Sequence, residues 1–376
     1  MKVIFNEIKK IFNLKMVAIL LLGSLIIYEL FISFYIDYFP NGRPALDSYN
    51  IGCNMIKKYG NNMDEKEFTD FKQIYNEKVE EANKYLSSRE DCKKANIRTY
   101  EDFKNTMDSS DKNSCEIHNE MMNEDIFWEL QEMKRITDCY ECRDEIVKKS
   151  YSNKDYKEKV EAIVNGEGLT DILPEIIQDD YNDAIGHVAI LILVSIVFML
   201  LPLFLRDNKN KVNYIQYTSK RGRNIFKDKV AAGLISAFII ATVQLSAFFI
   251  LYSKNNVSMF FNSNINSFLN RHLYWYDMTF IQYIIMTVVG IYVLSFAVTL
   301  IAAFVSSKAS NYMTAIGISV PILFAIGWLS DSLLINQLEV IYIPKMLALI
   351  GYIVLITISI VLIAMGWRKE KGTDIL

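Results

Sequence analysis

Nothing in these 376 residues matches G-x-x-x-x-G-K-[ST], and no Gly-Lys pair occurs anywhere. The loop of backbone N–H groups and lysine that cradles nucleotide phosphates is missing, which excludes ATP hydrolysis by that route in this chain. H-E-x-x-H and G-x-S-x-G are missing too, so neither a zinc-peptidase helix nor a serine-hydrolase elbow is encoded. Histidine is scarce: His118 stands near Cys115, Glu116 and Glu120 at a spacing that fits no standard metal pattern, while His187 and His272 stand alone. Ionisable residues are nearly absent from the long apolar runs, where catalysis within a membrane would need them. Glu29 is the exception. These absences leave no catalytic, cofactor-binding or metal-binding residue to nominate.

What the sequence has in abundance is apolar length. Six stretches, Met16 to Ile36, His187 to Leu205, Val230 to Tyr252, Ile281 to Val305, Tyr312 to Leu329 and Leu347 to Trp367, are long enough as helices to cross a hydrocarbon core roughly 30 Å thick. Lipid offers the backbone no hydrogen-bond partners, so each must be helical. The expected fold is an all-α polytopic membrane protein with six spans and a mostly helical domain, residues 37–186, between spans 1 and 2.

Charge divides along the same lines. Residues 37–186 hold 21 Lys and Arg against 34 Asp and Glu, whereas the rest of the chain is basic. If the N-terminus is cytosolic, the inside segments carry sixteen cations, against Lys254, Arg271 and Lys345 in the two short outside loops. Cation excess on short loops sets topology, so both ends are expected in the cytosol, with the acidic domain outside the cell membrane. The first apolar run is too long for a cleaved signal peptide and lacks a small-x-small site, which predicts an uncleaved anchor.

All five cysteines, Cys53, Cys92, Cys115, Cys139 and Cys142, fall in the outside segment, in agreement with an oxidising compartment. They are candidate disulfide partners with undeduced connectivity, and the odd number leaves one thiol free or cross-linked to a partner. Cys139-Tyr-Glu-Cys142 has redox-motif spacing without the strand-then-helix context that such chemistry uses.

Within the outside segment, apolar residues recur at three- to four-residue steps over Asp64 to Leu86, Thr99 to Met107, Glu116 to Thr137 and Asp155 to Val164, which predicts amphipathic helices. Asn165 to Gly168 breaks the pattern. The carboxylate surplus reads first as a solvated face kept soluble by charge, and second as a surface that would concentrate cationic peptides. The aromatic stretch Met259 to Met278 is expected at the outer head groups. Pro321 and Pro344 are expected to kink or break helices.

Two basic features remain. In residues 1–15, Ile4, Ile8, Ile11 and Phe12 share one helical face with Lys9 and Lys10 off it, as in a helix lying in the inner interface. Between spans 2 and 3, residues 206–229 hold eight of the sixteen inside cations.

With the one-plus-five span layout, these features resemble the permease subunits of ABC-2 type ABC transporters. The resemblance is sharpest at Tyr217-Thr218-Ser219-Lys220-Arg221-Gly222-Arg223, followed by Lys227, Lys229 and Val230-Ala231. It implies that Thr218, Ser219, Lys220, Arg221, Gly222, Arg223 and Lys227 form a coupling helix on a separate cytosolic ATPase subunit, which would hold the ATP and Mg. Family members usually carry a glutamate and a glycine about ten residues upstream, where this chain has Asp207 and no glycine. The same cations also suit topology enforcement and contact with anionic lipid. Further implications are a second permease copy or paralogue, no nucleic-acid partner and a Gram-positive-like bacterial origin; Glu29, read from the apolar run itself, is a candidate translocation-path residue or, equally, a carboxylate reaching the interface beside Tyr28. The expected function is export of an amphipathic substrate such as an antimicrobial peptide, antibiotic or lipid. The alternative is a membrane sensor or immunity protein that binds an outside ligand without transport.

Overall fold

The computed structural model describes residues 2–106, 112–150, 156–164, 168–218 and 221–372. The chain opens with α1 (Lys2–Ile11), α2 (Leu14–Ile27), a π-helical turn (Tyr28–Ile32) and α3 (Phe34–Asp37). Then come α4 (Ala45–Tyr59), α5 (Glu65–Ser88), α6 (Glu90–Lys94), α7 (Tyr100–Asn105), α8 (Lys112–Met121), α9 (Asp125–Glu141), α10 (Arg143–Ser150) and α11 (Lys157–Val164). It continues with α12 (Glu175–Leu200), α13 (Pro202–Lys209), α14 (Val212–Thr218), α15 (Ile225–Tyr252), α16 (Phe280–Lys308), α17 (Tyr312–Leu329) and α18 (Leu347–Gly372). Among the described residues the only β pairing is two isolated bridges, Asn62 with Asp171 and Asn264 with Thr279. The protein is an all-α polytopic membrane protein, with six helices among the described residues long and apolar enough to span: Leu14–Ile32, Glu175–Lys209, Gly222–Asn255, Phe280–Lys308, Tyr312–Leu334 and Leu347–Gly372.

The chain divides into two compact units: Met1–Phe39, Asp180–Asn256 and Gln282–Leu376 form one, Pro40–Asp179 and Val257–Ile281 the other. In the first, spans 2 and 4 are the most buried, while spans 1 and 6 leave Leu22, Leu25, Ile353 and Val361 at least half exposed. Lipid is as apolar as leucine, so the buried spans are held by close packing and hydroxyl bonds. Tyr181 and Thr287 share a hydrogen bond at 2.6 Å, and Gln244 donates to Ser195 at 2.8 Å and Ser24 at 3.1 Å. Span 2 is interrupted at Pro202, which lacks an N–H and disturbs the preceding turn. Ser306 of α16 repairs the break, donating to the Leu201 carbonyl at 2.7 Å and accepting from the Phe204 N–H at 3.0 Å.

Asn13 sets where span 1 begins. Its backbone is extended and its side chain accepts from the Met16 N–H, an N-cap that separates α1 from α2. The first helix, expected over residues 1–15, thus ends at Ile11, and the span starts two residues before the predicted Met16. The second span's helix starts at Glu175, well before the predicted His187, which puts Asp180 and Asp183 on it. α17 runs on through Pro321, so no break occurs there, whereas Pro344 stands in the turn that precedes α18.

The second unit is built on α5 and α9, each contributing to two apolar clusters. Phe68 and Phe71 of α5 meet Met133, Ile136 and Tyr140 of α9 in one cluster; Ala82 and Leu86 meet Phe127 and Leu130 in the other. Capping boxes at Asp64–Glu67 and Thr99–Asp102 start α5 and α7. The single helix expected over Glu116 to Thr137 is two, α8 and α9, parted by a turn whose Met122 carbonyl accepts from Trp128 Nε1 at 2.6 Å. The break expected at Asn165 to Gly168 lies outside the described residues up to residue 167. Val257–Ile281, which contains the aromatic stretch Met259 to Met278, belongs to this unit: Phe268 and Leu269 complete its apolar cluster and Lys159 pairs with Asp277 at 2.9 Å.

Candidate functional site

The segment 206–229 folds as the end of α13, the short α14, a 3-10 turn (Gly222–Asn224) and the first turn of α15. Gly222 sits at φ 52°, a left-handed conformation that glycine adopts without steric cost, so the chain can reverse into span 3. Ser219 and Lys220 of the predicted coupling helix lie outside the described residues. Thr218 ends α14 with its hydroxyl on the Ile215 carbonyl at 3.0 Å.

The remaining predicted residues are drawn into contacts within the chain. Arg221 lays its fork on Asp228, with Nη2 to Oδ1 and Nε to Oδ2 both at 3.0 Å. Arg223 donates to the Lys371 carbonyl at the end of α18, and the Lys227 ammonium stands 4.7 Å over the Trp367 ring. The three cations therefore tie the loop to the ends of spans 3 and 6. Ile215 of α14 is left 73% exposed, whereas Ile225 and Phe226 of the same segment are buried.

Beneath this loop is a buried ionic cluster. Asp207 Oδ2 accepts from Lys229 Nζ at 2.9 Å, Gln216 Nε2 at 2.8 Å and Lys10 Nζ at 3.4 Å. Lys10 also pairs with buried Glu7 of α1 at 2.6 Å. The Asp207 and Lys229 side chains are 6% and 4% exposed, and Lys229 Nζ also stands 4.8 Å over the Phe204 ring. Two carboxylates and two ammonium groups balance in charge. That balance allows burial, since an unpaired buried charge costs several kcal/mol. Through this cluster α1, α13, α14 and α15 share one set of hydrogen bonds. Of the partners of Asp207, Lys10 and Lys229 were visible in the sequence only as inside cations, and Gln216 carried no signal; the one hint of the pair was a carboxylate and an ammonium at the ends of consecutive apolar runs.

Glu29 is not part of this cluster. It lies on the π turn near the other end of span 1, exposed on the helix surface, and its carboxylate makes no ion pair among the described residues. His187 stacks against Phe31 and Tyr35 and bonds the Asp183 carbonyl at 2.7 Å. His118 stacks on Phe103 at 4.7 Å with Nδ1 2.9 Å from the Thr106 hydroxyl, a packed position in its helical unit.

The five cysteines named as disulfide candidates are all free thiols. Cys92 is packed among Ala82, Leu86 and Ile97, Cys139 lies against the other apolar cluster, and Cys53 is buried on α4. Burial pushes the Cys53, Cys92 and Cys139 thiols up, which disfavours the thiolate that redox exchange requires.

No protein-family model, curated protein or solved structure matches this chain.

Proposed function

We propose that this chain is the membrane permease subunit of an ATP-driven exporter of the ABC-2 type, seated in the cell membrane of a Gram-positive-like bacterium with both ends in the cytosol. The observation that carries the proposal is the segment between spans 2 and 3. A short helix with an exposed Ile215 is fastened by Asp207, Arg221 and Arg223 to spans 2, 3 and 6, so a push on it would move those spans together. A separate ATPase subunit, holding ATP and Mg, would dock there. A second permease copy or paralogue would cover Glu29, whose carboxylate is otherwise left at an apolar surface at considerable cost. The exported substrate would be amphipathic, an antimicrobial peptide, antibiotic or lipid, with the acidic helical unit outside, as in antimicrobial-peptide resistance.

The test is gentle extraction of the tagged protein from its native membrane, with sequencing of co-purifying chains and an assay of ATP turnover. A stoichiometric ATPase with a phosphate-binding loop is the expected result. A protein that is stable and active in ligand binding without any ATPase would replace this reading by that of a membrane sensor or immunity protein.

A further inference from the structure

A cavity of about 380 Å³ lies within the membrane unit where α1 turns into span 1, walled on the other side by span 2 around Pro202. Its wall is apolar, formed by Met16, Ile19, Met199 and Leu203, and its rim carries Lys15 and Arg206. Other charges at the rim are spent on one another: Glu7 pairs with Lys10, and Lys10 reaches Asp207, which Lys229 already neutralises. Lys15 and Arg206 make no ion pair among the described residues. The cavity therefore presents two uncompensated cations above an apolar wall.

Its depth follows from the helix starts. Asn13 caps span 1 immediately below α1, so the rim lies at the level where the hydrocarbon begins. Ile19 is more than half exposed one turn further along, so the apolar wall continues onto the lipid-facing surface of span 1.

We propose that this cavity holds the head group of an anionic phospholipid, its phosphate between Lys15 and Arg206 and its acyl chains running out along Ile19. A zwitterionic head group would return a cation to a site that already has two. A free phosphate would satisfy the cations but leave the apolar wall wet. Basic residues near a membrane surface each contribute about 1 kcal/mol toward anionic lipid, and a forked guanidinium suits a phosphate. The inference rests on the membrane fold and these side chains, and it holds whether or not the protein transports anything.

The test uses the full chain, released from nanodiscs containing equimolar phosphatidylglycerol and phosphatidylcholine of the same acyl chains, with retained lipid counted by native mass spectrometry. Phosphatidylglycerol is expected to be preferred by about 10- to 30-fold, the product of two basic contacts. Lys15→Gln with Arg206→Gln should bring the preference close to one. Should that double variant melt well below the wild type, Ile19→Trp, which fills the mouth from an exposed position, carries the test by lowering retention of the bound lipid. Equal retention of the two lipids by the wild type overturns the proposal. So does a preference that survives both variants. Displacement of the lipid by millimolar inorganic phosphate would also overturn it, in favour of a site for a free anion.

Discussion

Asp207, in the last turn of span 2, and Lys229, in the first turns of span 3, meet at 2.9 Å with both side chains almost wholly buried. The pair spans a segment of twenty-one residues and joins it to α1 through Lys10. Removing one member of a buried pair strands the other, typically at about 3–5 kcal/mol, whereas replacing both by apolar groups is often close to neutral. Asp207→Asn alone is expected to lower the thermal midpoint in nanodiscs sharply. Asp207→Leu with Lys229→Met should recover most of that loss. A double variant as unstable as the single one would show that the hydrogen bonds from Gln216 and Lys10, rather than the ion pair, hold the cluster.

Arg221 offers a charge-swap experiment on the proposed coupling segment. Its fork is on Asp228, so Arg221→Glu sets two carboxylates against each other and is expected to reduce partner-dependent ATP turnover at least tenfold. Arg221→Asp with Asp228→Arg rebuilds the intrachain pair and should restore turnover to within about threefold, because neighbouring charges couple. Restored thermal stability without restored turnover would mean that the Arg221 guanidinium itself contacts the partner.

Ser306 answers for the groups that Pro202 disrupts. Ser306→Ala leaves the Phe204 N–H and the Leu201 carbonyl without their partner in a buried place, at a cost of about 1–3 kcal/mol. Combined with Pro202→Ala, which lets the helix hydrogen bonds re-form, the cost should shrink. Equal costs in the two backgrounds, measured by thermal unfolding, would assign the loss to packing alone.

Acid is expected to loosen the C-terminal end of α5 and its neighbours. The Arg89 guanidinium, bonded to Asp91 at 2.6 Å and 3.0 Å, holds the Asp91 carboxyl down to about 2. The Thr99 hydroxyl, with the Arg98 and Thr99 N–H groups, holds Asp102 below the usual carboxylate range. Unfolded aspartate titrates near ~3.9, so both pKa values fall on folding. Both contributions are present above about pH 4 and are lost in acid below it, that of Asp91 as the pH falls toward about 2. Hydrogen exchange of the α6 and α7 amides should accelerate across that window. Arg89→Gln should remove the Asp91 contribution at neutral pH, and an unchanged exchange profile in that variant would refute the assignment.

The thiols can be counted directly. Denatured protein is expected to take up five maleimide groups without reductant, and native protein to label first at exposed Cys142 and last at buried Cys92. A pair that labels only after reduction would establish a disulfide.

Much of the fold was legible because its signals are local. An apolar run longer than about 18 residues needs a helix in lipid whatever its neighbours are. The stepped apolar residues between Phe68 and Leu86 likewise mark one face of α5 without reference to any other element. Local signals misplaced ends and joints. Span 2's helix extends back to Glu175 through polar residues because hydropathy marks where lipid begins, not where helical hydrogen bonding begins. Residues 116–137 keep a helical period across the turn at Met122, since a break that costs little in the pattern is stabilised by Trp128 from the next helix. The basic loop was visible as charge, but not that Arg221, Arg223 and Lys227 would be satisfied within the chain.

The sequence by itself determined the number of spans, the helical class, and the concentration of cations between spans 2 and 3, since each is a sum over neighbouring residues. Only the tertiary structure decided that Asp207 pairs with Lys229 and Glu7 with Lys10 beside it. It also decided that Val257–Ile281 completes the apolar core of the helical unit, and that Lys15 and Arg206 are left facing a cavity. Those outcomes depend on which side chains the packed helices bring within a few ångströms. A buried charge is tolerated only beside the partner that the fold supplies.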